Sequence, residues 1–260
     1  MPVIGGGPAG MQAAIVLAER GFRPILFERR AYLGGSAVLA SKAPCKGLVA
    51  EYIETQKNQL AALGVQVELN HAPTMAELRR LDPYGIFVAM GGQQIVPDIP
   101  GIDRENVFGI EDILLGRRAI EGREVAVIGG GHVGLEVAHF LCANNKVTIV
   151  EMADEIGASV YYITKFKLLP MLREAGVTFR TGQAIAAVDD GSIRLRDTHT
   201  GQCTELKAEA VVLAMGSRPD LAARAAFDRN FDHVVYAGDA VRGGTMLEAN
   251  RDAFALAWEF

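Results

Sequence analysis

Three glycines near the N-terminus have the spacing of a phosphate-binding turn. Gly5, Gly7 and Gly10 form a G-x-G-x-x-G pattern that follows Val3-Ile4 and opens a segment rich in alanine and leucine. The first glycine of such a turn allows the tight bend, the second lets a pyrophosphate approach bare backbone, and the third lets the helix pack closely. The N–H groups and partial positive charge at the start of the helix then favour an anion.

An acidic residue completes the pattern. Glu28 lies eighteen residues beyond Gly10, at the end of the apolar run Ile25-Leu26-Phe27. A carboxylate at the end of the second strand can accept hydrogen bonds from the hydroxyls of an adenosine ribose. Because glycine turns also occur for packing alone, one such motif is a weak signal.

The same pattern occurs a second time, 124 residues further along the chain. Val125–Ile128 leads into Gly129, Gly131 and Gly134, and another apolar run ends at Glu151, seventeen residues beyond the last glycine. Two complete units of strand, glycine turn, helix, strand and carboxylate are hard to explain by packing alone. The sequence therefore predicts that the chain holds two adenine dinucleotides.

Composition bounds the class of protein. The chain has 260 residues, of which half are apolar and 29 are glycine, and its formal net charge is −5. This length suits one large or two modest domains. The negative charge argues against a nucleic-acid surface. No apolar run approaches the roughly 20 residues of a membrane span, and no signal peptide is recognisable, so we expect no membrane association and a cytoplasmic location.

Three cysteines are scattered along the chain, at Cys45, Cys142 and Cys203, without a C-x-x-C pair. We therefore expect no dithiol centre and no iron–sulfur or zinc site held by this chain alone. Cys45 is either a single catalytic thiol, favoured as thiolate by Lys42 or Lys46, or a plain thiol in a loop. Cys142 follows apolar residues of a predicted helix, which favours core packing.

The segments between the two glycine units alternate between helical and strand periodicity. A capping box is predicted at Thr74 and Glu77, and a glycine C-cap at Gly64. The predicted elements of this part are a helix over 47–63, strands over 65–69 and 84–90, helix 74–80 and a short helix within 109–122.

The last segment of the chain repeats the order of the first unit: a strand over 233–236 is followed by a helix that runs to the C-terminus. Two domains in tandem would leave this last strand and helix without a sheet to complete. We therefore predict an inserted second domain, with residues 1–112 and 217–260 forming the first domain and 113–216 the second. The second domain is predicted to contain helix 164–175, strands 177–179 and 209–215, and three short strands near 184–188, 192–196 and 204–206.

Short motifs over essentially the whole chain resemble those of one family: GGGPAG at 5–10, LGG at 33–35, AMGG at 89–92, IPGID at 99–103, VIGGGHVGLE at 127–136 and AGDAV at 237–241. They are similar to motifs of the two-dinucleotide-binding flavoproteins. Within that superfamily, the chain resembles the C-terminal half of the NADH:flavin oxidoreductases related to 2,4-dienoyl-CoA reductase, 2-enoate reductase and trimethylamine dehydrogenase.

The resemblance implies an α/β fold with two Rossmann-like dinucleotide-binding domains, the NAD(P) domain being inserted into the FAD domain. It also implies an electron-input module, in which NAD(P)H reduces FAD and electrons pass to a flavin or iron–sulfur partner. In such relatives a flavin-bearing barrel and an iron–sulfur linker precede this region. Only four residues precede the first glycine turn here, so we expect the chain to be a piece of something longer.

The resemblance further assigns residues to the two cofactors. Asp239 would accept hydrogen bonds from the ribityl chain of FAD, and Glu136 would lie near the nicotinamide end of the second cofactor. The residues implied for FAD are Gly5, Gly7, Pro8, Ala9, Gly10, Glu28, Arg29, Gly35, Ala89, Gly91, Gly238 and Asp239. Those implied for the nicotinamide cofactor are Gly129, Gly131, His132, Val133, Gly134, Glu136, Glu151 and Gly216.

Three positions depart from the pattern of the relatives. Met90 and Met215 stand where threonine is common, and Ser36 stands where glutamine is common. We predict no metal site, because the histidines of the chain have no metal-like spacing. We also predict no catalytic side chain, because hydride transfer between two rings mainly requires orientation.

Glu151 favours NADH over NADPH. A carboxylate repels a 2′-phosphate at short range, and residues 152–155 contain no arginine that would attract one. Two alternative functions stay open at this point. One is a structural domain that binds ADP and a partner, as at the corresponding site of trimethylamine dehydrogenase. The other is a disulfide or persulfide reductase that depends on Cys45.

Overall fold

The computed structural model describes residues 1–260. It contains fifteen β-strands, which are short and mostly apolar. The strands are β1 (Pro2–Ile4), β2 (Ile25–Glu28), β3 (Gln66–Leu69), β4 (Ile86–Val88), β5 (Gly92–Gln94), β6 (Val107–Gly109), β7 (Glu124–Ile128), β8 (Lys146–Val150), β9 (Thr178–Arg180), β10 (Gln183–Val188), β11 (Ser192–Asp197), β12 (Cys203–Lys207), β13 (Ala210–Leu213), β14 (Ser217–Pro219) and β15 (Val234–Tyr236).

Nine α-helices alternate with these strands, and a 3₁₀ helix spans Gly238–Ala240. None of the helices combines the length and apolar composition that a membrane span requires. The α-helices are α1 (Pro8–Glu19), α2 (Ser36–Lys42), α3 (Gly47–Ala62), α4 (Met75–Arg80), α5 (Ile110–Leu114), α6 (His132–Leu141), α7 (Tyr162–Glu174), α8 (Leu221–Asp228) and α9 (Met246–Glu259).

The chain divides into two compact units. Unit 1 consists of Met1–Ser41, Lys46–Gln93 and Ser217–Phe260, and unit 2 consists of Lys42–Cys45 and Gln94–Gly216. Strand β6 and helix α5 therefore belong to unit 2. Because the sequence of unit 2 interrupts that of unit 1, the predicted fold class, with one α/β domain inserted into the other, is confirmed.

Unit 1 is built on a five-stranded parallel sheet with the strand order β15-β4-β1-β2-β3. Val3 in the central strand pairs with Leu26 on one side and Phe87 on the other, and all three are fully buried. Such short, continuously apolar strands are typical of parallel sheets covered on both faces. Helices α1 and α9 pack against each other, and the small side chains of Ala253 and Ala257 are fully buried.

Unit 2 repeats this architecture with a parallel sheet of strand order β6-β13-β7-β8-β9. It also carries a three-stranded antiparallel sheet, β10-β11-β12. The turn between β10 and β11 uses Gly191 at φ +78°, a conformation that glycine adopts without strain. The predicted run of three short strands is confirmed.

Local signals predicted several elements well. Helix α3 ends at Ala62, and Gly64 follows two residues later at φ +66°, as expected for a helix that ends on a glycine. Helix α4 has the capping box, in which Thr74 and Glu77 each accept a hydrogen bond from the other's backbone N–H.

Two helices of the structure were not predicted from the sequence. Helix α2 follows directly on Gly34 and Gly35, where only a turn was expected, and helix α8 is capped by Asp220, whose side chain accepts a hydrogen bond from the N–H of Ala223. Strands β4 and β13 are shorter than the predicted 84–90 and 209–215, since both leave the sheet before a positive-φ glycine, Gly91 or Gly216.

Gly10 sets how closely α1 approaches the preceding turn. A Cβ at this position would lie 1.8 Å from the carbonyl oxygen of Gly5. We expect Gly10→Ala to lower the free energy of unfolding by about 1–3 kcal/mol, the usual cost of overpacking, measured by urea denaturation. The control is Gly47→Ala in the first turn of α3, where an added Cβ meets nothing within 4 Å. Equal unfolding midpoints for the two variants would show that the close packing at Gly10 is not required.

Candidate dinucleotide-binding sites

The first glycine turn joins β1 to α1 and tolerates no larger residue at its first position. Gly5 has φ +102°, and a Cβ there would lie 2.4 Å from the carbonyl oxygen of Ala89. Helix α1 begins after Gly7, which provides no side-chain cap. The first N–H groups of a helix have no partner within the helix, and Pro8 at the first helical position has no N–H. The N–H groups of Ala9 and Gly10 are therefore available to an anion.

Gly7 is the glycine of this turn with space beside it. The nearest atom to a Cβ added at Gly7 would be the Cα of Gly35, at 3.8 Å. Gly35 itself has φ +51°, and a Cβ added there would lie 2.8 Å from the Cα of Gly7. The backbones of Gly7 and Gly35 therefore lie against each other. The sequence predicted Gly35 to lie near the cofactor but did not predict this contact.

The Glu28 carboxylate is held beneath this turn by two backbone N–H groups. Gly6 donates to Oε2 at 2.7 Å and Arg30 donates to Oε1 at 2.8 Å, while Glu28 is only 6% exposed. A carboxylate offers about four acceptor positions, so two hydroxyls could still be accepted. Sequence analysis missed Gly6, although the run of three glycines was the available signal; a Cβ there would lie 2.4 Å from Leu33.

The remaining residues implied for FAD are distributed around the same turn. A Cβ on Gly238 (φ +61°) would lie 3.2 Å from the Cβ of Ala9, so the 3₁₀ helix packs against the start of α1. Asp239 is half-buried and accepts a hydrogen bond from Ser217 Oγ at 3.1 Å. Burial raises the pKa of the Asp239 carboxyl above its ordinary value. Gly91, at φ +77°, has open space beside it, and Arg29 is exposed beyond the end of β2.

Unit 2 reproduces the turn in detail. Gly129 has φ +112°, and its Cβ would lie 2.4 Å from the carbonyl oxygen of Ala214; a Cβ on Gly134 would lie 1.9 Å from the oxygen of Gly129. Gly131 precedes α6 at φ −76°, again without a side-chain cap, and a Cβ there meets nothing within 4 Å. The first and third glycines are thus required by packing, whereas the middle glycine borders open space.

The second carboxylate is held in the same way as the first. Glu151 accepts hydrogen bonds from Gly130 N at 2.6 Å and Ala153 N at 2.9 Å. The similarity continues past the carboxylate: Gly157 N donates to Gly130 O at 2.9 Å, as Gly34 N donates to Gly6 O at 2.8 Å in unit 1. The duplication therefore includes the loop after the second strand of each unit.

The two helix starts differ in their side chains. His132 is the first residue of α6, and its Nε2 lies 2.9 Å from Oε1 of Glu136, which is 7% exposed. The His132 ring thus contacts the next turn of its own helix. Val133 is exposed, and Gly216, at φ +84°, lies between β13 and β14 with open space beside it. The role of Glu136 near a nicotinamide stays a prediction.

The three cysteines are free thiols. Cys45 is exposed in the turn between α2 and α3, at φ +62°. Cys142 ends α6, where its thiol donates to His139 O at 3.3 Å and burial raises its pKa. It is half-buried and thus lies at the edge of the expected core. Cys203 is exposed in β12.

Gly131 offers a test that separates binding from folding. We expect Gly131→Ala to unfold at the wild-type temperature, since the added methyl meets no atom. The methyl would occupy the space through which a pyrophosphate approaches the backbone, so NADH affinity should fall by about tenfold or more, which is 1.4 kcal/mol. Calorimetric titration with NADH measures this effect, and Gly47→Ala is again the control. Unchanged NADH affinity would place the cofactor elsewhere.

Comparison with known proteins gives the family. Residues 1–233 match the family model described as pyridine nucleotide-disulphide oxidoreductase. An NADH oxidase of Thermoanaerobacter brockii is 34% identical over 263 residues, covering 99% of this chain and 40% of the relative. A bilirubin reductase of Mediterraneibacter gnavus is 32% identical over 238 residues, covering 91% of this chain and 37% of the relative. A solved structure of 2-naphthoyl-CoA reductase superposes with a TM-score of 0.90 at 27% identity, covering 100% of this chain and 39% of that one.

The chain thus spans about two fifths of the length of the curated relatives it matches. These matches confirm the resemblance to NADH:flavin oxidoreductases that was inferred from the motifs. The family model implies FAD and NAD(P) as cofactors, in agreement with the two glycine turns and their carboxylates. The chain belongs to the pyridine nucleotide-disulphide oxidoreductase family.

Proposed function

We propose that this chain is the electron-input module of a FAD-dependent pyridine-nucleotide oxidoreductase. Unit 1 binds FAD, unit 2 binds NADH, hydride passes from NADH to FAD, and electrons leave to a flavin or iron–sulfur partner. The observation that carries the proposal is the duplicated site, with a bare glycine turn and a carboxylate fixed by two backbone N–H groups in each unit. A similar protein named NADH oxidase supports the reaction type.

The residues of unit 1 fit the ADP part of FAD. The uncapped start of α1 supplies N–H groups for the pyrophosphate, and the absence of a side chain at Gly7 lets it approach the backbone. Glu28 is already oriented for the two ribose hydroxyls, so little side-chain entropy is lost on binding. The half-buried Asp239 supplies an acceptor for the ribityl chain. Bound FAD supplies a two-electron acceptor for the hydride.

The residues of unit 2 bind and orient the reductant. Gly131 and the start of α6 receive the pyrophosphate, and Glu151 accepts the hydroxyls of the adenosine ribose. The chain uses no general acid or base for hydride transfer, because orientation is the main requirement. Glu151 also sets the preference for NADH, since its fixed negative charge repels a 2′-phosphate at the same position.

Colour and reduction by NADH test the proposal against its alternatives. We expect the purified chain, supplied with FAD, to be yellow and to lose its visible flavin absorbance under anaerobic NADH, because the hydride reduces the flavin. A colourless chain that releases only ADP would instead support a structural ADP-binding domain. Cys45→Ser should keep NADH-to-dye turnover at the wild-type rate. A variant that has lost disulfide reduction would instead support a cysteine-dependent reductase.

Glu151 is the residue to change for cofactor preference. Glu151→Gln removes the charge that strengthens the bonds to the ribose hydroxyls, so NADH affinity should fall about 10–100-fold, corresponding to the 1.5–3 kcal/mol of a charged hydrogen bond. NADPH affinity should fall less, because the repulsion of its phosphate is also removed. Titration of both nucleotides measures the ratio.

Glu174→Gln serves as the control. Glu174 is an exposed carboxylate at the end of α7, so its substitution removes the same charge from the same unit. An unchanged ratio of NADH to NADPH affinity in Glu151→Gln would rule out Glu151 as the discriminating residue.

A further inference from the structure

We propose that Ser217 is a positioning residue of the FAD site, whose hydroxyl holds the Asp239 carboxylate in the orientation that accepts the ribityl hydroxyls. This inference rests on the proposed function, because it concerns the unit assigned to FAD. Neither the glycine turn nor the family motifs pointed to Ser217. It lies directly after Gly216 and begins β14.

Asp239 is placed by the 3₁₀ helix Gly238–Ala240 close to the first glycine turn. A Cβ added at Gly238 would lie 3.2 Å from the Cβ of Ala9. The Asp239 carboxylate therefore belongs to backbone that packs on the start of α1. Ser217 Oγ donates to Oδ2 of Asp239 at 3.1 Å, and a backbone hydrogen bond from Gly244 also reaches the carboxylate. These two bonds fix the side chain before any ligand binds.

Ser217 is itself held in place by a glycine. The short strands β5 and β14 pair with each other. A Cβ added at Gly92 would lie 3.1 Å from the Cβ and 3.2 Å from the Oγ of Ser217. The serine side chain therefore packs over Gly92, next to Gly91, which borders open space. A serine hydroxyl has a single donor, and here that donor is directed to Asp239.

The hydroxyl also favours the charged form of the Asp239 carboxylate. Burial raises the pKa of Asp239, and the bonds from Ser217 and Gly244 oppose that rise. An ionised carboxylate accepts hydrogen bonds at both oxygens, whereas a protonated one uses one oxygen as a donor. Without the serine hydroxyl, Asp239 loses both an orienting bond and part of the stabilisation of its charged form.

The test is a double-mutant cycle read by FAD affinity. FAD is removed from the purified full chain, and its rebinding is followed by quenching of flavin fluorescence. We expect Ser217→Ala to raise the Kd for FAD about tenfold, within the range for loss of a hydrogen bond to a charged group. In an Asp239→Ala background the same change should alter Kd less than about twofold, because the partner is gone. A purely structural role in the β5–β14 pair would instead give the same factor in both backgrounds.

Two further variants keep the test independent of folding. Ser217→Cys has nearly the same size but a weak donor, and it should bind FAD with a Kd between those of wild type and Ser217→Ala. Ser192→Ala changes a half-buried serine of unit 2 and should leave the Kd unchanged. Wild-type affinity in Ser217→Ala, or equal factors in the two backgrounds, overturns the role of Ser217 alone. A wild-type chain that binds no FAD overturns the proposed function as well.

Discussion

The hydrogen bonds from a glycine N–H to a carboxylate 21 or 22 residues away are the constraint on which both sites depend. Each bond links the glycine turn to the end of the next strand, so that the helix start and the carboxylate proposed to bind one nucleotide are fixed relative to each other. A Cβ at Gly6 would lie 2.4 Å from the Leu33 side chain, and one at Gly130 would lie 2.8 Å from the Ile156 side chain, so a larger donor residue requires that side chain to move. The carboxylate is therefore oriented by backbone rather than by neighbouring side chains, and binding needs little reorganisation.

The sheets explain why this constraint can be met twice. In each unit the apolar central strands are parallel and buried, so their carboxyl ends lie at one edge. At that edge the first glycine of each turn packs against the carbonyl group of an alanine that follows the adjacent strand. This alanine is Ala89 in unit 1 and Ala214 in unit 2. Any larger residue at Gly5 or Gly129 would push these strands apart. The spacing of the glycines in the sequence is thus a consequence of how closely helix, turn and strand pack.

Sequence patterns predicted the features that depend on neighbouring residues. The glycine spacing, the capping box at Thr74 and the C-cap at Gly64 are local, so each could be found from a few positions. The features that escaped prediction depend on contacts between distant segments. Gly6 bonds across 22 residues to Glu28, Ser217 bonds to Asp239, and β5 pairs with β14 more than a hundred residues later. Helix α2 was missed because its seven residues carry no strong periodicity.

The two copies differ where their proposed ligands differ. In unit 1 the first helical residue is Pro8 and the residue four positions later is Gln12, whose Oε1 accepts a hydrogen bond from Gln56. In unit 2 the same positions are His132 and Glu136, which contact each other. Gln12 is half-buried, and its amide oxygen already accepts the hydrogen bond from Gln56. The contact between His132 and Glu136 instead stays within α6, at the start of the helix where the proposed function places the reductant. Under the proposed function, the shared backbone would bind the common ADP portion, and the side chains at these two positions would distinguish one ligand from the other.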